Sequence, residues 1–332
     1  MKAQEIKGAE LRRLQLIELD MLKEFDRVCR KHGIKYTMDG GTMLGAVRHK
    51  GFIPWDDDTD VAMLRAEYEK FKRVAGELDP SVCWFQDHDT DPEYRWGYGK
   101  LRRTGTEYVR VGQEHLKCRT GVFVDVFPFD DAPRGIVGQI LQDFICFLLR
   151  KTLWSEVAKK SDPRALARFV YGWLSRIPPR FVFRILNRYA QRSLRGNAER
   201  VRVLALPSYA KYWGFKDKLP LHERYALPRR WLTELTDYEF EGCRLMGMKD
   251  YDGFLRFQYR DYMTLPPEND RTARAPVSKF DFAGLHPLPM DCGVGTKENN
   301  DAWHGDEDIV AQTGVPVNQK CHHVKYEATC GH

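Results

Sequence analysis

Four carboxylates, Asp56, Asp57, Asp58 and Asp60, fall within five positions of this chain, shortly after a glycine pair, Gly40-Gly41. Asp58 and Asp60 are two residues apart. On a strand they point to the same side and can share one hard cation. A third acid, Asp125, stands alone in an apolar run, Gly121-Val122-Phe123-Val124-Asp125-Val126-Phe127. Three carboxylates on neighbouring strands can hold one or two Mg²⁺ ions, with Mn²⁺ as the alternative, against a diphosphate. Asp125 either completes that metal site or accepts the proton of an attacking hydroxyl. The glycines, with Thr42, leave backbone N–H groups bare enough to receive phosphate oxygens. Together these parts point to phosphoryl or nucleotidyl transfer. Within the cluster the acids are not equal. Asp58 and Asp60 carry the reading, Asp56 either joins the metal or caps the turn after Pro54, and Asp57 is expected to face away.

Cations near these motifs could meet a diphosphate. Arg48, His49 and Lys50 follow the glycine segment. Lys100 and Arg102 alternate with apolar residues, so one face of their strand can look into the site, Lys100 ahead of Arg102. The plainer reading of each is a solvated loop or strand face. Trp55, Trp96 and Tyr98 are the aromatic residues nearest the motifs.

The elements that must position these groups follow from periodicity. Leu14, Ile17, Met21, Phe25 and Val28 mark an amphipathic helix that stops near Gly33. Short strands are expected over 34–38, 59–64, 82–86, 98–101 and 121–127, with Pro128 ending the last. A helix over 67–78 lies among them. One helix, several strands and one further helix imply an α+β or mixed α/β catalytic half. From residue 135 the pattern turns helical.

Composition is that of a protein with a sizeable core: 332 residues, 42% hydrophobic and 30% charged. The N-terminal residues lack the apolar stretch of a secretory signal, and the apolar run over 136–149 is interrupted and too short to span a bilayer. Eight cysteines without a CxxC pair read as reduced thiols of a cytoplasmic protein. The net charge of +6 is mild, but residues 150–202 hold 14 Lys/Arg against three acidic residues, interleaved with aromatics. Solvated helix faces are the plain reading. An anionic acceptor site together with a peripheral contact on an anionic membrane is preferred. No nucleic-acid module accompanies the bias, so nucleic acid is not expected as a partner. Residues 283–332 change composition. Their Cys292, His304, Cys321, His322, His323, Cys330 and His332 match no standard zinc spacing, and the stretch is expected to be a disordered appendage.

The run from Tyr36 through Asp39-Gly40-Gly41-Thr42-Met43-Leu44-Gly45 to Pro54-Trp55-Asp56-Asp57-Asp58-Thr59-Asp60 resembles the signature of the LicD family. That family includes bacterial phosphorylcholine transferases and is related to fukutin and fukutin-related protein. Phe123-Val-Asp-Val-Phe-Pro128, Tyr98 to Arg102, the segment 259–267 and Lys279 to Phe282 resemble further family segments. The resemblance implies a nucleotidyltransferase-fold mixed sheet, hence an α+β core over 1–134. A helical, basic region over 135–282 would complete the domain, with the tail over 283–332 outside it. It implies Asp58, Asp60 and Asp125 as the acids. It further implies transfer of a substituted phosphate, phosphocholine foremost, from CDP-choline or a related CDP-alcohol. The acceptor is a glycan or lipid-linked glycan, such as a teichoic acid, lipopolysaccharide or capsule precursor. Two alternatives stand beside it: a nucleotidyltransferase that releases pyrophosphate, and a non-catalytic glycan-binding protein of the same fold.

Overall fold

The computed structural model describes residues 3–208, 224–273 and 276–285. Helix α1 (Gly8–Lys31) buries Leu14, Ile17, Met21, Leu22, Phe25 and Val28 at helical spacing. Each such side chain contributes roughly 1.5–3 kcal/mol by leaving water. Phe25 packs edge-on against Tyr36 at 4.9 Å and against Phe71 at 4.8 Å. The helix ends as expected, with Gly33 at φ +61° reversing the chain. Strand β1 (Thr37–Met38) then leads directly into helix α2 (Gly40–His49). The glycine pair is thus the first turn of a helix rather than an extended loop. Gly40 takes φ +51°, a conformation that other residues adopt only with strain.

The remaining elements of this half are β2 (Asp60–Leu64), α3 (Arg65–Val74), β3 (Cys83–Gln86), β4 (Gly99–Arg103), β5 (Glu107–Arg110) and β6 (Phe123–Asp131). One mixed sheet runs β1-β2-β6-β4-β3. Strands β2 and β6 are parallel, and the other neighbours on this path are antiparallel. The expectation that Pro128 ends its strand is corrected: β6 continues to Asp131. The ladder with β4 stops opposite Val126, and β7 joins only at Asp130, so Pro128 lies where one edge of β6 has no strand partner. A proline lacking its N–H is tolerated there.

After β6 come the helices α4 (Ile136–Ser161), α5 (Ala165–Leu174) and α6 (Pro179–Arg195), where the sequence turns basic. The chain then returns to the sheet through β7 (Arg200–Arg202) and β8 (Leu227–Pro228), which make it seven-stranded. A short helix α7 (Arg230–Thr233), the hairpin β9 (Leu235–Phe240) and β10 (Cys243–Met248), helix α8 (Tyr251–Tyr259) and strand β11 (Val277–Asp281) follow. Strand β11 pairs antiparallel with β5, so a strand far along the chain backs β5. Arg65 holds Asp130 with two hydrogen bonds of 2.9 and 2.7 Å and ties the start of α3 to β6. Cys29, Cys83, Cys118, Cys146 and Cys243 are free thiols. Among the described residues no helix is long and apolar enough to cross a membrane. The Cys and His residues of the tail lie outside the described residues.

Candidate active site

The register of the sheet builds the site. Asp60 on β2 is the cross-strand partner of Asp125 on β6, and Asp125 is the partner of Lys100 on β4. Two acids and a lysine therefore line up across three adjacent strands. All three are nearly buried. Lys100 Nζ lies 2.5 Å from Asp125 Oδ1 and 3.5 Å above the centre of the Phe123 ring. The lysine charge is held by a carboxylate and a π face together.

Helix α2 anchors the edge of this row. The Asp39 N–H donates to the Asp60 carbonyl at 3.0 Å, and the Asp60 N–H donates to Thr42 Oγ1 at 2.9 Å. Thr42 therefore fixes where β2 begins. Asp39, the N-cap of α2, is buried and its Oδ1 has no hydrogen-bond partner among the described residues. Burial raises its carboxyl from the ordinary 3.8 to about 6, against the lowering pull of the Gly40 N–H. The folded protein thus binds this proton more tightly than the unfolded chain. Its contribution favours folding at low pH and falls as pH rises from about 4 to about 6. In metal-free protein, Asp39→Asn should match the wild-type melting temperature near pH 4. It should exceed it above pH 6, by up to about 3 kcal/mol in unfolding free energy. Equal melting curves at both pH values would remove this role.

Just before β2 the acids converge. Carboxylate oxygens of Asp56, Asp57 and Asp58 lie within 4.8 Å of one another, and all three residues are buried. The expectation that Asp57 faces away is thereby corrected. Strand β2 begins only at Asp60, so residues 56–59 are not bound to the alternation of a pleated strand. Arg110 on β5 reaches Asp58, with Nη2 to Oδ2 at 4.0 Å. Glu18 on α1 sits beneath this cluster and accepts from Thr59 Oγ1 at 2.7 Å. Burial pushes its carboxyl well above the usual range, the Thr59 bond opposes this, and Asp58, Asp57 and Asp56 push it further up. Gln15 Nε2 donates to the carbonyls of Ile53 and Asp56 at 3.1 and 3.0 Å, holding the backbone of the turn.

The cations divide. Lys100 and Arg102 line one small cavity with Trp96, Tyr108, Arg110 and Phe123. Arg102 is also braced inside the sheet, donating to Gln86 Oε1 at 2.6 Å and to the Gly121 carbonyl at 2.8 Å. Arg48 occupies the other end of α2, about 12 Å along the axis from Gly40. There it donates to the Tyr262 carbonyl at 2.8 Å. The structure does not bring it to the glycine turn. The residues that sequence reasoning missed are Glu18, Gln15 and Arg110. Glu18 had a signal, since it lies four residues after Leu14 and three before Met21 on the apolar face of α1. Arg110 had none, because its approach depends on how β5 folds over the sheet.

Residues 33–144, which contain every acid of this row and cluster except Glu18, match the family model for the LicD/FKTN/FKRP nucleotidyltransferase domain. The chain carries a LicD-family domain. It is 28% identical to the lipopolysaccharide cholinephosphotransferase LicD of Haemophilus influenzae over 279 residues, which is 80% of this chain and 96% of that protein. Human and mouse ribitol 5-phosphate transferase FKRP are each 36% identical over 50 residues, 15% of this chain and 10% of theirs. The LicD-family resemblance of the sequence motifs is thus borne out. The similarity to the Haemophilus protein extends well beyond the matched domain.

Proposed function

We propose that this LicD-family protein is a phosphotransferase that moves a substituted phosphate, phosphocholine foremost, from a CDP-alcohol to a hydroxyl of a cell-surface glycan or its lipid-linked precursor. What carries the reading is the buried row Asp60, Asp125 and Lys100, in a chain similar over most of its length to a lipopolysaccharide cholinephosphotransferase.

The donor set suits a hard divalent cation. It consists of carboxylate oxygens only, with no sulfur or imidazole among them. Asp58, Asp60 and Asp125 would hold Mg²⁺ or Mn²⁺, with Asp56 beside them. Bound there, the ion supplies charge neutralisation at the diphosphate. The chain's own groups do the rest. The first turn of α2, at Gly40, Gly41 and Thr42, presents the positive end of a helix dipole toward phosphate oxygens. Lys100, Arg102 and Arg110 give the cavity a cationic wall for the same oxygens. Lys100 also holds Asp125 in line through their ion pair. Asp125 serves either as a ligand or as the acceptor of the hydroxyl proton.

The test is a thermal-shift screen of CDP-choline, CDP-ribitol, CDP-glycerol and CDP-ethanolamine with and without Mg²⁺. One CDP-alcohol should raise the melting temperature, and more strongly with the ion. Incubation of that donor with a glycan acceptor should then release CMP. Release of pyrophosphate from CTP and an alcohol phosphate would instead make the protein a nucleotidyltransferase. Binding without turnover of any donor would make it a glycan-binding relative.

A further inference from the structure

Helix α4 exposes Val137, Ile140, Leu141, Phe144 and Leu148, and α5 with the residue after its turn exposes Leu166, Phe169, Val170, Trp173 and Ile177. Both sets recur at three- and four-residue steps, so each forms one stripe along its helix. These are not marginal exposures: Val137 is 76% exposed, Leu166 77%, Phe169 65% and Trp173 59%. The chain reverses at 162–164, and the Lys151 ammonium lies 5.9 Å from the Tyr171 ring centre. Ordinary monomers rarely leave so many large apolar side chains in water together.

Charge accompanies the stripes. From residue 163 to residue 198 there is no Asp or Glu at all, against eight arginines. Arg176 stacks on the exposed Trp173 ring at 4.6 Å, and Arg180 and Arg184 lie 5.4 and 5.3 Å from the ring of exposed Phe181. Arginine over a half-immersed aromatic ring is the arrangement that a lipid headgroup region accommodates, with the ring at the acyl boundary and the guanidinium among phosphates. From this combination we propose that the exposed faces of α4 and α5, together with the arginine–aromatic pairs of Arg176 on Trp173 and of Arg180 and Arg184 on Phe181, dock on the surface of a bilayer containing anionic phospholipid. A second copy of this chain fits less well. A two-fold interface sets the same patch against itself and would press the arginines together. An anionic surface complements both the arginines and the apolar stripes. The proposal stands independently of the chemistry at the acidic row, because its readout is binding.

The full chain should co-sediment with vesicles of phosphatidylcholine and phosphatidylglycerol and stay in solution with phosphatidylcholine alone. Phe169→Ser with Trp173→Ser should weaken binding about tenfold or more, since the lost contact is apolar burial. Arg176→Glu with Arg180→Glu should do the same, and raising salt should weaken wild type but not this variant. All four positions are exposed, so melting temperatures should match wild type. Three results would overturn the proposal. One is no vesicle binding. Another is equal binding by wild type and both variants. The third is a dimer in gel filtration that the serine variant splits while wild type ignores vesicles.

Discussion

Asp60→Asn should lower kcat/KM for CMP release by about 10³-fold or more, the scale set by losing several kcal/mol of charge stabilisation at the transferred phosphate. The protein should stay folded. The Asp60 backbone keeps its bonds to Thr42 Oγ1 and to the Asp39 N–H, neither of which needs the carboxylate. Those backbone bonds survive the substitution, so melting temperature in metal-free buffer should stay close to that of wild type. Asp58→Asn should lower kcat/KM in the same direction, and it removes the carboxylate charge that Arg110 approaches at 4.0 Å. Calorimetric titration with Mg²⁺ separates a metal role from a structural one, because the inactive variants should also lose ion binding. Full activity in either folded variant would sink the assignment of these acids.

How much of this was legible in the sequence depends on how local each determinant was. Helix α1 and its stop at Gly33 follow from spacing and a single glycine, so they could be read directly. The pairing of Asp60 with Asp125 could be anticipated only as acids on neighbouring strands. Their being direct partners depends on the parallel register of β2 with β6, which no local pattern encodes. Lys100 was read as a diphosphate contact, and its closeness to Asp125 depends on a second, antiparallel register. Asp57 was misjudged because alternation was assumed to extend before the strand begins. The glycine pair was read by composition as a cradle, yet its first-turn position on α2 follows from the helix that Thr42 to His49 form after it. Glu18 shows the remaining gap. A carboxylate on the apolar face of a helix stands out in sequence, but its partners, Thr59 and the Asp56 to Asp58 cluster, are supplied only by packing.

The second large effect falls on stability. Lys100→Met removes the cation that meets Asp125 Oδ1 inside the sheet, where the carboxylate is buried. Breaking a buried pair from one side typically costs about 3–5 kcal/mol, because the stranded charge has no water to turn to. For a chain of 332 residues that corresponds to a fall of roughly 4–7 °C in melting temperature. The double variant Lys100→Met with Asp125→Asn removes the stranded charge and should recover most of the loss, while transfer stays absent. A neighbouring pair coupled in this way should depart strongly from additivity. Mg²⁺ offers a second readout on the single variant. If Asp125 is a ligand, added ion replaces the missing positive charge and should raise the melting temperature of Lys100→Met more than that of wild type. A single variant as stable as wild type would mean that Asp125 is solvated after all. A double variant weaker than the single would mean that the two residues support the sheet separately. In either case the register that aligns Lys100, Asp125 and Asp60 would not be the feature that organises the site.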